Sequence, residues 1–133
     1  EIVGYELSKT AHAQLVTGAF INAVKKSKIQ RGKLLFHSDQ GSQYSSDIFR
    51  KTLSFHGVTQ SMSRRGNCWD NAVQEMFFRS LKTEYLNDVT FKNHQEVSKA
   101  VQQYIFYYNY KRLNSAIGYL TPVQKRKLLM NVA

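Results

Sequence analysis

Two short apolar runs, Leu34–His37 and Val58–Met62, flank a single helical pattern, and this spacing constrains the fold more than any other feature of the chain. Ser46 or Asp47 opens the helix, which runs to about His56 with Ile48, Phe49, Thr52 and Leu53 inward; Gly57 closes it as a left-handed cap. A strand, one helix and a strand joined by short loops place the two strands side by side and parallel, with the helix laid on the sheet. The first run reads as a short buried strand. If it continues past His37, its alternation puts His37 and Asp39 on the same side.

The same alternation extends both ways. Glu1–Leu7 reads as a strand interrupted by Gly4, with no initiator methionine and no preceding turn, so the chain is expected to begin inside a fold. Ser8 or Thr10 is placed to cap a helix from Ala11 to about Lys26, whose apolar stripe is Ala11, Leu15, Val16, Ala19, Phe20, Ala23 and Val24. Lys25, Lys26 and Lys28 suit the negative end of its dipole. After the polar loop Ser63–Asn67, Asp70 or Asn71 caps a third helix from Ala72 to about Tyr85. Val73, Met76, Phe77 and Leu81 share one side of it, and Glu75, Arg79 and Lys82 the other. A fourth helix, about Asn93 to Tyr108, buries Val97, Val101, Tyr104, Ile105 and Tyr108. Thr121 caps a last helix that has Pro122 at its first position. The fold class is α/β, with an α/β core over about 1–91 and a helical C-terminal segment over about 92–133, together a single partial domain.

Charge is the first guide to function. Nineteen basic against nine acidic residues leave +10, spread as 8 and 4 over residues 1–60 and 11 and 5 over 61–133. An even surplus makes a basic surface rather than a basic tail, and nucleic acid is the partner such a surface suits. No apolar run approaches the roughly 18 residues a membrane span needs. The single cysteine, Cys68, rules out an internal disulfide or a cysteine-built zinc site and fits a reducing cytoplasm.

Two acids stand where chemistry can use them. Asp39 ends the first apolar run in a Gly/Ser loop, and Glu75 lies in the third helix, with 35 residues between them. Carboxylates with no thiols and no imidazole cluster favour a hard cation, Mg²⁺ or Mn²⁺, which can serve in-line displacement at phosphorus. The plainer reading of Asp39 is a turn-forming residue before Gly41.

The run His37-Ser38-Asp39-Gln40-Gly41-Ser42-Gln43-Tyr44 and the pattern Asp70-Asn71-Ala72-x-x-Glu75-x-Phe77-Phe78 together resemble the catalytic core of bacterial insertion-sequence transposases. These are DDE enzymes related to retroviral integrases, with a ribonuclease-H-like fold. Tyr108–Arg112 and Gly118–Pro122 look like that family's C-terminal segment. The resemblance implies that Asp39 and Glu75 are the second and third acids of a metal site serving DNA strand cleavage and strand transfer. It also implies that the first Asp lies upstream of Ile2–Leu7. The fold would then be truncated at its N-terminus, with the first strands missing, and the fragment would be inactive alone. Unpaired strand edges would favour self-association. Asn114 departs from the histidine common in the family. The implied setting is a bacterial cytoplasm, at the nucleoid, with transposon ends and target DNA as partners and no membrane.

Arg64, Arg65, Asn67, Asn71, Arg79, Lys82, Lys111 and Arg112 are the candidate DNA contacts. His37 stays open between a DNA contact, a support for Asp39 and a rim histidine. His12, His56 and His94 read as surface residues, Cys68 and Trp69 as structural. Tyr104, Phe106, Tyr107 and Tyr108 read as core packing rather than a base-stacking surface. Two alternatives remain: a non-catalytic nucleic-acid-binding module, such as the remnant of a decayed transposase, and a nuclease of the same fold.

Overall fold

The computed structural model describes residues 1–27, 29–64 and 72–131. The chain divides into two compact units, Val3–Met76 and Phe77–Ala133 together with Glu1–Ile2.

In the first unit, α1 (Ala13–Lys26) is followed by β1 (Leu35–Ser38), the short α2 (Ser42–Ser45), α3 (Asp47–Phe55) and β2 (Thr59–Met62). The strands are parallel in the register Leu35↔Thr59 to Ser38↔Met62, as the helix between them requires. The ladder extends one bond either way, from Thr59 N–H to Leu34 O and from Ser63 N–H to Ser38 O (2.8 Å). Ser46 caps α3 by accepting from the Phe49 N–H, and Gly57 ends it at φ +65°. The core joins Phe20 of α1 to Phe49 and Leu53 of α3 and to Val58, with Phe36 and Tyr44 packed against it.

Three expectations fail here. Glu1–Leu7 forms no strand. The backbone at Gly4 instead runs close against α1, where a Cβ would meet Ala19 O and Ala23 N at 2.5 Å, so glycine is required. Asn22 holds the segment by donating to Tyr5 O and to Glu6 Oε2. The cap of α1 is neither Ser8 nor Thr10 but His12, whose Nδ1 accepts from the Leu15 N–H at 3.1 Å. Nor is β1 buried. Phe36 and Ser38 face inward, whereas Leu35 is 59% exposed and His37 and Asp39, which alternate with it, are exposed too, because the core of this unit packs against the Phe36 side. Ile48 of α3, expected inward, is also exposed, whereas Phe49 and Leu53 are buried.

α4 (Ala72–Leu81) spans the division between the units and continues into a π-helical turn, Lys82–Leu86. Phe77 and Leu81 are buried as expected, but Val73 (83% exposed) and Met76 are not. The expected caps Asp70 and Asn71 lie outside the described residues.

In the second unit, α5 (His94–Tyr110) buries Ala100, Val101, Tyr104, Ile105 and Asn109, and is capped by Asn93, which accepts from the Glu96 N–H. Val97 and Tyr108 are half-buried. Phe106 and Tyr107 are exposed, against the expectation of core packing. Asn109 exchanges two hydrogen bonds with the backbone of Ile2, at 2.8 and 2.9 Å, which ties the first residues to this unit. Thr121 and Gln124 form a reciprocal capping box at the start of α6 (Pro122–Asn131), with Pro122 at its first position.

The π turn is held by α5 and the residues that follow it. Arg112 donates from Nε and Nη2 to Glu84, the shortest contact 2.6 Å, and the buried Tyr104 hydroxyl donates to the same carboxylate at 2.9 Å. The Arg112 hydrogen bonds outweigh burial and hold the Glu84 carboxyl below its usual value, while burial and then Glu84 push the Tyr104 phenol up. A lowered carboxylate pKa contributes stability that is fully present above the unfolded value and lost as pH falls through the native one. Glu84 is partly open to water, so the contribution is about 1 kcal/mol or less. In acid titrations followed by thermal melts, wild type should exceed Glu84→Gln at neutral pH. The gap should close as pH drops below 4.5, the ordinary value. A gap independent of pH would contradict this.

Candidate functional site

Asp39 follows the last residue of β1, at the carboxyl end of a parallel strand, which is where open α/β sheets present functional groups. Its carboxylate is exposed, and Oδ1 accepts the Gly41 N–H at 2.9 Å. The turn-forming reading of Asp39 is therefore realised. It does not consume the group, since an ionised carboxylate has acceptor sites beyond that one bond. A Cβ on Gly41 would lie 2.9 Å from Asp39 Oδ1 and 2.7 Å from Gln43 Nε2, so a larger residue there would displace the carboxylate.

The neighbouring groups are hydroxyls and an imidazole. His37 Nδ1 and Ser61 Oγ, opposite each other in the β1–β2 register, are 3.0 Å apart. This fixes the His37 ring on the open face, two residues before Asp39. Only the strand register revealed that pairing. Tyr44 lies half-buried nearby, its phenol raised first by burial and then by the Asp39 charge.

Glu75 sits on the first half of α4, exposed, with Arg79 one turn on and Lys82 at the head of the π turn, both also exposed. The i, i+4, i+7 spacing thus presents an acid and two cations along one open side. Arg64, after β2, is exposed. Arg65, Asn67 and Asn71 lie outside the described residues. Lys111 is exposed at the end of α5. Arg112, expected as a DNA contact, is instead engaged inside its unit by Glu84, Ser80 and the Tyr108 ring. Among the described residues no three His, Cys, Asp or Glu side chains come together as a metal-holding group. Asp39 and Glu75 are each exposed, and a single carboxylate of this kind is a ligand that a hard cation takes together with water and substrate phosphate oxygens.

Comparison with known proteins places these features. One integrase core domain family model matches residues 56–122, and a second, of the same description, matches residues 1–68. The chain belongs to the integrase core domain family. The transposase for insertion sequence element IS904 of Lactococcus lactis is 42% identical over 123 residues, covering 92% of this chain and 48% of that protein. Transposase InsF for insertion sequence IS3A of Escherichia coli is 36% identical over 124 residues, covering 92% and 43%. The chain thus spans about half the length of these curated relatives. In structure it is similar to the catalytic core domain of BIV integrase, with a TM-score of 0.70 at 20% identity over 96% of this chain and 78% of that one. The fold is therefore the ribonuclease-H-like integrase core, α/β with a helical C-terminal segment. Among the described residues no helix is long and apolar enough to cross a membrane.

Proposed function

We propose that this integrase-core chain belongs to a DDE transposase and supplies two of its metal-holding carboxylates, Asp39 and Glu75. The carrying observation is an exposed Asp39 at the carboxyl end of a parallel strand, its Oδ1 accepting the Gly41 N–H while the carboxylate keeps further acceptor sites. Bound Mg²⁺ or Mn²⁺ would supply activation of the attacking oxygen and stabilisation of the leaving one during DNA strand cleavage and transfer. The protein's own part is to hold the two carboxylates on rigid elements. Arg79 and Lys82 beside Glu75, with Arg64 and Lys111, meet DNA phosphates; Arg65, Asn67 and Asn71 complete the proposed DNA-contacting set. Arg112 acts through the fold, by holding Glu84.

Among the described residues no third acid joins Asp39 or Glu75 in a metal-holding group, and the reading extends to a chain that alone binds DNA and metal but does not turn over. Calorimetry with Mn²⁺ should show weak binding that falls about tenfold or more in Asp39→Asn and in Glu75→Gln, because each removes a hard anionic ligand. DNA affinity should fall with salt, and each of Arg79→Ala, Lys82→Ala and Lys111→Ala should flatten the log–log slope by about 0.9. Salt-dependent DNA binding with no metal binding at all would instead favour a non-catalytic nucleic-acid module. Metal-dependent strand transfer by this chain, abolished in Glu75→Gln, would overturn the two-carboxylate limit.

A further inference from the structure

The exposed face of α5 carries an arrangement that neither packing nor the two carboxylates use. Phe106 and Tyr110, one turn apart, have ring centroids 4.9 Å apart and planes within 27°, the one parallel-stacked aromatic pair among the described residues. Their rings are largely in water, Phe106 58% exposed and Tyr110 51%. Among the described residues, pairs in the same unit that include a buried ring are tilted or edge-on, such as Phe77–Tyr108 at 84°. Parallel rings held in solvent present a flat outer face to whatever comes next.

The charge around the pair selects what that is. Lys99 lies seven residues before Phe106, hence on the same side of the helix, and the exposed Lys111 follows Tyr110. Glu96, the only acid of α5, is at the far end and accepts the Lys92 N–H. The unit as a whole has nine basic and four acidic residues. Two of those acids, Glu84 and Glu1, are paired with Arg112 and Arg126. A second copy meeting this face across a twofold axis would bring Lys99 and Lys111 toward their own kind. A polyanion that also has flat, apolar rings meets both features.

We propose that Phe106 and Tyr110 form a stacking platform for unpaired DNA bases, with Lys99 and Lys111 on the adjoining phosphates. The proposal rests on the DNA-binding reading above and adds to it a preference for strand-separated over duplex DNA. Stacking tolerates any base, because every base has a π-face.

The test is fluorescence anisotropy with a labelled thymidine oligonucleotide of about 12 nucleotides and the matching duplex, using the whole chain at fixed salt. The double variant Phe106→Ala/Tyr110→Ala should bind the single strand about tenfold or more weakly, and the duplex within about twofold of wild type. Its salt slope should stay unchanged, since no cation is removed. Phe106→Trp should retain single-strand affinity. Both rings are exposed, so the fold is not at stake, and circular dichroism checks that. Unchanged single-strand affinity in the double variant, or equal losses on both DNAs, would overturn the proposal. So would light scattering that finds a wild-type dimer turned monomeric by the double variant, since a second copy would then cover the face. If Lys111→Ala weakens binding while the ring variants do not, DNA binding stands and the platform falls. If wild type binds neither DNA at low salt, the DNA reading itself fails.

Discussion

Replacing Phe49 with alanine should destabilise the Val3–Met76 unit by about 3–5 kcal/mol, the range for emptying a fully buried phenylalanine site. Phe49 is completely buried and is the hub of an aromatic cluster: Phe36, Tyr44 and Phe20 pack edge-on around it with centroids 5.1, 5.8 and 6.1 Å away. Each contact comes from a different element, so truncation leaves a cavity that no single neighbour can collapse into. The loss combines apolar burial with aromatic pair terms of about 0.5–1.5 kcal/mol each. Phe55, on the same helix and 73% exposed, supplies the control. Phe55→Ala should stay within about 0.5 kcal/mol of wild type. Urea unfolding of both variants decides the matter, with hydrogen exchange over residues 13–62 locating the damage. Similar values for the two would mean that the cluster is not the core of this unit.

The second large effect belongs to Tyr104, at 1% exposure the most buried side chain of the other unit. Tyr104→Ala should cost about 3–5 kcal/mol by the same cavity argument. Its ring packs near Phe77 and Tyr85, and its hydroxyl donates to Glu84. Tyr104→Phe separates the two contributions. It keeps the ring and removes one hydrogen bond to a charged acceptor, a loss of about 1.5–3 kcal/mol, at the low end because Arg112 still satisfies Glu84. Denaturant midpoints of the three proteins should therefore fall in the order wild type, Tyr104→Phe, Tyr104→Ala. If Phe and Ala fall together, the hydrogen bond rather than the ring holds this unit.

These two residues also mark the limit of what can be read along the chain. Leu53 and Phe49 recur at helical spacing, Tyr104 recurs with Val101 and Ile105, and all are buried. Periodicity identifies such positions because one side of a helix must leave water. It cannot say how wide the buried side is. Ile48, Val73 and Met76 satisfy the same spacing and remain exposed, because no described neighbour covers their flank. Likewise the alternation around Asp39 was legible in the sequence, but not that Leu35 shares the open face with it. That depends on the helical core packing against the Phe36 side of the strand.

The sequence alone determined the parallel strand–helix–strand unit, the Gly57 cap, the Thr121–Pro122 start of the last helix, the basic surface and the family resemblance. All are local patterns or composition, set by neighbours within a few residues. The tertiary structure alone decided that Gly4–Glu6 lies along α1 without strand pairing, that His37 meets Ser61, and that Arg112 is held by Glu84. It also decided that Phe106 and Tyr110 stack in water. Each of those depends on which distant element occupies the space beside a residue, and burial and pairing there are properties of the assembled neighbours, not of the residue's own stretch of chain.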